Sequence, residues 1–256
     1  MIRINKDLAD IPESLLVADE QLTHKRRKEL IKKGEYINKD VFDSRYKTND
    51  IKDKLKKLYH YKCAYCENKV EQGHVEHYRP KQIYYWLAYS WDNLMYTCPT
   101  CNEFKGTNFE IEGERAVSPD VVDDLGDINI CSSQKYDKLE KPVLLNPERD
   151  NLNDVFLFDE EGHIKGNDNK RADYTIKTCR LDRDYLLDSR RKIVDEFRNK
   201  VRAEFINAET KAYKEIRLSF LVDDFVNNAM NEDLPFSAYR KVAIGWLDDM
   251  VKDILK

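Results

Sequence analysis

Two Cys-x-x-Cys pairs constrain this chain more than any other feature: Cys63 and Cys66 in KCAYCE, and Cys98 and Cys101 in CPTCN. Each pair can present two thiolates to one side of a cation, and two pairs complete a tetrahedral shell with no open position. The spacing therefore predicts a structural Zn²⁺ site made of Cys63, Cys66, Cys98 and Cys101. Such a closed site does no chemistry itself. Its effect is to tie together what lies between and beside its ligands, and those segments hold groups that handle protons and hard cations. Glu76-His77 sits in VEHYRPK, Asn93 in WDNL, and Asn102 directly follows the last cysteine.

The 256 residues suffice for one large domain or two small ones. With 36% charged and 41% hydrophobic residues the composition is that of a soluble globular chain, not a disordered one. The opening MIRINKDLADIPESLL has no basic stretch followed by an apolar one, so no secretory signal is expected. Nor is any apolar run long enough to span a bilayer. Cysteines in metal spacing fit a reducing compartment, and the expected location is cytoplasmic, with no membrane partner. The net charge of −4 conceals an asymmetry: residues 1–107 carry 20 Lys+Arg against 16 Asp+Glu, the remainder 24 against 32. Basic runs at 24–33 and 52–62 flank the cysteine module, and a local basic surface attracts phosphate whatever the overall charge. Their plainer reading is as the solvated faces of two helices.

Periodicity predicts an α+β chain that is mostly helical. Helices are expected over 22–33 and about 48–59, the second with Ile51, Leu55 and Leu58 as its apolar stripe. From Tyr61 to His77 short alternating pieces predict a small hairpin with Gly73 in or near its turn. Residues 99–106 read as a short helix closed by Gly106, 110–127 as an acidic surface loop, and 155–166 as a hairpin around Gly162. A helical tail follows, with Val194, Phe197, Val201, Phe205, Ala208 and Ala212 recurring at steps of three and four. A final helix carries Val242, Trp246, Met250 and Ile254. The expected divisions are an N-terminal helical segment 1–59, a zinc-stapled core 60–110, an acidic loop or insertion 111–141, and a hairpin with a C-terminal helical region 142–256. Tyr84, Tyr85, Trp86, Tyr89 and Trp91 could stack on unpaired bases but fit better as filling for a small core. Cys131 and Cys179 lack partners in spacing and read as free thiols. His24, His60 and His163 read as surface or packing residues, and His74 as an ordinary hairpin position.

The residues between the cysteine pairs have the types that phosphodiester hydrolysis needs. An imidazole, with a pKa near neutrality, can activate water as general base, and His77 is placed for that. A hard divalent ion on oxygen ligands can stabilise the leaving oxygen, and Glu76 is a ligand for it. Adjacent strand residues face opposite ways, so the two serve one site only if the backbone bends there; Pro80 suits a strand ending nearby. Arg79 and Lys81, on either side of Pro80, suit a phosphate clamp.

Residues 61–109, YKCAYCE…VEHYRPK…WDNLMYTCPTCNEFKGTNF, resemble HNH endonucleases of the ββα-metal type. The resemblance implies a hairpin and helix folded around one divalent ion. In it His77 is the general base and Glu76 a metal ligand, Asn93 orients the base and steadies the loop, and Asn102 completes the metal shell. It also places Lys105 against phosphate. Many members have His where this chain has Asn102, and an amide oxygen favours Mg²⁺ or Mn²⁺ over softer ions. The wider pattern, with VLLNPERDNLNDVFLFDEEGHIKG and TIKTCRLDRDYLLDSR, is similar over roughly residues 60–195 to the PtuB-like HNH proteins of Septu and retron-associated anti-phage defence. That likeness implies a nuclease effector acting on DNA foremost, or on RNA, in an oligomeric complex with an ABC- or SMC-like ATPase. Two alternatives differ in kind: a catalytically silent zinc-containing adaptor that binds nucleic acid or the ATPase, and a standalone restriction-type nuclease.

Overall fold

A first helix, α1 (Leu22–Lys33), buries Thr23, His24, Arg27 and Leu30 and ends at Gly34, whose φ of 76° lets its N–H return to the Leu30 and Ile31 carbonyls. The computed structural model describes residues 1–119, 128–207 and 210–255. A short α2 (Asp40–Asp43) and a 3₁₀ turn (Ser44–Tyr46) lead to α3 (Asn49–Leu58), which buries Ile51 and Leu55. Most lysines of the two basic runs stand on the outer faces of α1 and α3, but Arg27 is buried. Its guanidinium donates to the Tyr89 carbonyl at 2.8 Å, and burial pushes its pKa down to about 10.

The expected hairpin within 61–77 does not form. An isolated bridge, Lys62 to Lys69, closes the loop that carries Cys63 and Cys66. The paired strands are instead β1 (His74–His77) and β2 (Leu94–Thr97), antiparallel, with His74 opposite Thr97 and His77 opposite Leu94. Gly73 is not in a tight turn: it lies flat against Tyr96, where an added Cβ would meet the ring 2.3 Å away. Helix α4 (Pro99–Lys105) follows β2 directly. Cys98 caps it by accepting the Cys101 N–H at 3.3 Å, Pro99 opens the first turn, and Gly106 at φ 47° ends it. β1, β2 and α4 form a ββα unit.

Of the expected acidic loop, residues 120–127 lie outside the described residues. Parts of the rest are packed rather than solvated. Ile111 bridges Pro142, Ala116 is buried, and a π-helical turn (Ser132–Tyr136) leads into α5 (Asp137–Glu140) with Glu140 fully buried. The second hairpin is β3 (Phe156–Phe158) with β4 (Ile164–Gly166), and Gly162 between them has a φ of 90°.

Helices α6 (Lys170–Cys179), α7 (Asp184–Asn207), α8 (Lys211–Met230), α9 (Ser237–Ala243) and α10 (Leu247–Leu255) complete the chain. Val194, Phe197 and Val201 are buried along α7 and Phe205 is half-buried. The stripe stops there: Ala208 lies outside the described residues, and Ala212 is exposed on α8. The expected last helix is two, α9 and α10, joined by a 3₁₀ turn at Ile244–Trp246. Tyr84, Trp86, Tyr89 and Trp91 are buried, as core filling requires. One apolar cluster runs from Met1 and Ile4 through Tyr65 and Leu94 to Val194 and Met250. Among the described residues no helix is long and apolar enough to cross a membrane.

A candidate active site beside a four-cysteine cluster

The four sulfurs of Cys63, Cys66, Cys98 and Cys101 all lie within 4.8 Å of one another, with 3.9 Å between Cys66 and Cys98. A tetrahedron with Zn–S bonds of about 2.3 Å separates its sulfurs by about 3.8 Å, so donor set and spacing both fit zinc. Hydrogen bonds from Cys101, Cys63 and Cys66 pull the Cys98 thiol down, towards the thiolate that binds metal. Arg183, just before α7, sets both terminal guanidinium nitrogens 3.6 Å from the Cys101 sulfur. That cation opposes the negative charge of a thiolate cluster. The cysteine spacing carries no trace of Arg183, which reaches the site only through tertiary packing.

On the other side of α4 a cleft of about 510 Å³ opens, and its lining includes Glu76, His77, His74, Lys81 and Asn102. Tyr46, Lys47 and Lys52, from the 3₁₀ turn and α3, form another wall. Three lysines and one carboxylate thus line it, giving a net positive surface suited to a polyanion.

Glu76 and His77 both line the cleft although they are consecutive paired residues of β1, which ends at His77. Beyond it Tyr78 N–H donates to the Asn93 carbonyl at 2.9 Å, and Arg79 N–H to Asn93 Oδ1 at 2.8 Å. The Asn93 amide donates in turn to the carbonyls of Arg79 (3.0 Å) and Leu87 (3.2 Å). Fully buried, Asn93 fixes both the turn after His77 and the segment holding Ala88. The Ala88 carbonyl meets His77 Nε2 at 2.9 Å. A carbonyl only accepts, so Nε2 carries the proton and Nδ1 is left as the acceptor. The ring packs edge-on to Tyr46 with centroids 4.5 Å apart. Burial pushes the His77 pKa down to about 3, which keeps the imidazole neutral.

Glu76 is buried and meets two side chains of α4: Lys105 Nζ at 2.9 Å and the Asn102 amide nitrogen. Burial raises the Glu76 pKa despite Lys105 and Asn102, which oppose the shift. The Asn102 oxygen lies 3.3 Å from His74 Nδ1. Glu76 and Asn102 therefore stand side by side on facing elements, with the amide nitrogen turned to the carboxylate and the amide oxygen to His74; a carboxylate and an amide carbonyl are the donor types that suit a hard divalent ion.

The phosphate assignments fare differently. Lys81 lines the cleft, bonded to Asp43 at 2.6 Å and Tyr46 at 2.9 Å. Lys105 is buried, its ammonium spent on Glu76 and on the His77 carbonyl at 2.8 Å. Arg79 is fully buried in the opposite direction, with Glu140 at 2.7 Å and Asp137 at 2.9 Å. Burial disfavours its charge, but those two carboxylates hold it protonated above its ordinary value. Arg79 and Lys105 are thus framework cations and not surface clamps. Arg79→Ala is expected to destabilise the fold by about 3–5 kcal/mol, because it strands a buried carboxylate. Urea unfolding measures that loss, and an unchanged midpoint would refute the framework role. Sequence reasoning missed Tyr46, Lys47 and Lys52 as wall residues and Asp43 as the partner of Lys81; the basic run at 52–62 was the one signal for any of them.

Residues 63–108 match the family model for HNH endonuclease, and the ββα unit with its cysteines occupies that interval. The chain is 28% identical over 215 residues to Septu protein PtuB of Bacillus mycoides (strain KBAB4), covering 77% of this chain and 68% of that protein. The chain is thus similar to PtuB over most of its length, with the HNH match at residues 63–108. A second PtuB, from Bacillus thuringiensis, is 36% identical over 75 residues, which span 28% of this chain and 29% of the relative. Septu protein PtuA of Bacillus mycoides (strain KBAB4) is 26% identical over 160 residues, covering 57% of this chain and 21% of that protein.

Proposed function

We infer that this protein is a metal-dependent endonuclease, with His77 Nδ1 taking the proton of the attacking water. The observation that carries the reading is the pairing of Nε2 with the Ala88 carbonyl beside a carboxylate–amide pair. That bond fixes the tautomer and leaves a basic nitrogen on a cleft with net positive lining. When bound, Mg²⁺ or Mn²⁺ would supply positive charge to the departing oxygen. Glu76 and Asn102 would hold it, while Lys105, bonded to both Glu76 and the His77 carbonyl, keeps carboxylate and base in register. Lys81, Lys52 and Lys47 attract the phosphate backbone.

DNA is the first substrate to test, because such a lysine-lined cleft suits any phosphodiester and the HNH match is to an endonuclease family. Two relatives named as Septu proteins PtuB and PtuA support a role in anti-phage defence beside an ATPase partner. The deciding assay compares plasmid, single-stranded DNA and RNA, with and without Mg²⁺ or Mn²⁺ and with and without the ATPase. Cleavage that requires added metal is expected. Binding without turnover under all of these conditions would favour the silent adaptor instead.

The pH profile has a definite sign. Protonation disables both groups, but His77 is shifted down and Glu76 up. As pH falls Glu76 is therefore lost before His77, and the acid limb of kcat/KM reports the carboxylate and not the imidazole. More Mg²⁺ competes with the proton for Glu76 and moves the acid limb to lower pH. An acid limb near neutrality that ignores Mg²⁺ would contradict this.

A further inference from the structure

His74 stands at the start of β1, exposed and on the cleft, and shares a strand face with Glu76. Both side chains meet Asn102: its nitrogen donates to the Glu76 carboxylate, and its oxygen lies 3.3 Å from His74 Nδ1. An amide oxygen only accepts, so His74 carries its proton on Nδ1 in this arrangement. For Asn102 to give an oxygen to a cation shared with Glu76, the amide must turn over, because its nitrogen has no lone pair to offer. The turned amide then presents its nitrogen to His74, and Nδ1 must become an acceptor.

A neutral imidazole can meet both demands by moving its proton to Nε2, which a lysine or a carboxylate in its place could not do. Exposure leaves His74 Nε2 free to bond water in either state. His77 differs, since the Ala88 carbonyl holds its proton on Nε2 throughout. We propose that His74 is a positioning residue for a hard divalent cation, supporting the Asn102 amide in the ion-free orientation and again, by a tautomer exchange, in the ion-binding one. The proposal rests on the reading of Glu76 and Asn102 as the ion's oxygen donors.

The test is Mn²⁺ binding by electron paramagnetic resonance to the zinc-loaded protein without nucleic acid. Wild type is compared with His74→Ala, His74→Gln and Glu76→Gln. Partners behind a metal ligand typically contribute about 10–100-fold in affinity, and His74→Ala is expected to lose that much. His74→Gln, which can both donate and accept, restores most of it. Imidazole ¹⁵N shifts at alkaline pH give a signature that a merely structural role would not: His74 passes from Nδ1–H to Nε2–H on adding Mg²⁺, while His77 stays Nε2–H. Wild-type affinity in His74→Ala, an unchanged His74 tautomer, or a direct imidazole nitrogen coupling to Mn²⁺ would each overturn the proposal. Wild-type affinity in Glu76→Gln would instead bring down the donor assignment beneath it.

Discussion

His77→Ala is expected to lower the proposed metal-dependent cleavage by roughly 10²–10⁴-fold, the usual contribution of a general base, and to leave the zinc content unchanged. The imidazole is the cleft's one neutral nitrogen base with its tautomer fixed by a backbone carbonyl. On the proposed mechanism its removal takes away the proton acceptor, and it touches no cysteine. Some stability goes with it, because His77 is buried against Tyr46 and the Ala88 carbonyl loses its donor. An unpaired buried polar group costs about 1–3 kcal/mol. His77→Gln separates the two effects: its amide can still donate to Ala88 but has no basic nitrogen. Equal inactivity in both variants, with the glutamine form melting closer to wild type, is the expected pattern. A wild-type cleavage rate in His77→Ala would remove His77 from the mechanism.

Cys63→Ala has the largest expected effect on stability. Structural zinc sites contribute apparent binding energies of about 10–16 kcal/mol in small domains, comparable to the whole stability of a typical protein at about 5–15 kcal/mol. Cys63 also accepts the Glu67 N–H at its carbonyl and donates its own N–H to Asn68, so the loop and the metal site depend on each other. The variant is expected to lose its zinc and its cooperative melt. Cys131→Ala is the control: that thiol is buried outside the cluster and pushed up to about 12 by burial, so only packing and one weak bond to the Ile128 carbonyl are lost. Full zinc occupancy and a wild-type melting temperature in Cys63→Ala would refute the structural role.

What the sequence made legible was local. Cys-x-x-Cys spacing, the Glu76-His77 dipeptide and the run from Cys98 to Lys105 each act within a turn or a strand, where neighbours in sequence are neighbours in space. Helices α1 and α3 were readable for the same reason, through their own periodicity. The pairing of β1 with β2 was not, since the partner strand lies beyond Asn93 and the alternation around Gly73 suggested a nearer one. Arg79 shows the limit best. Its position beside Pro80 and His77 suggested phosphate, but its direction was set by Glu140 and Asp137, about sixty residues on. The same long-range packing brought Tyr46 over His77 and Arg183 to the cysteines.

Helix α4 has seven residues and carries Cys101 and Asn102 side by side in its first turn and Lys105 in the next. Isolated helices that short are not stable in water, so its pitch is held by the thiolate cluster at one end and the fold around it. A chelator therefore leaves a memory. On the proposed function, brief exposure is expected to strip a weakly held oxygen-bound ion, with fresh Mg²⁺ returning the lost activity at once. Prolonged exposure is expected to draw out the deeper ion, loosen α4 and part Asn102 and Lys105 from Glu76, so that Mg²⁺ alone recovers nothing. Preparations that differ only in their purification history would differ in specific activity for that reason.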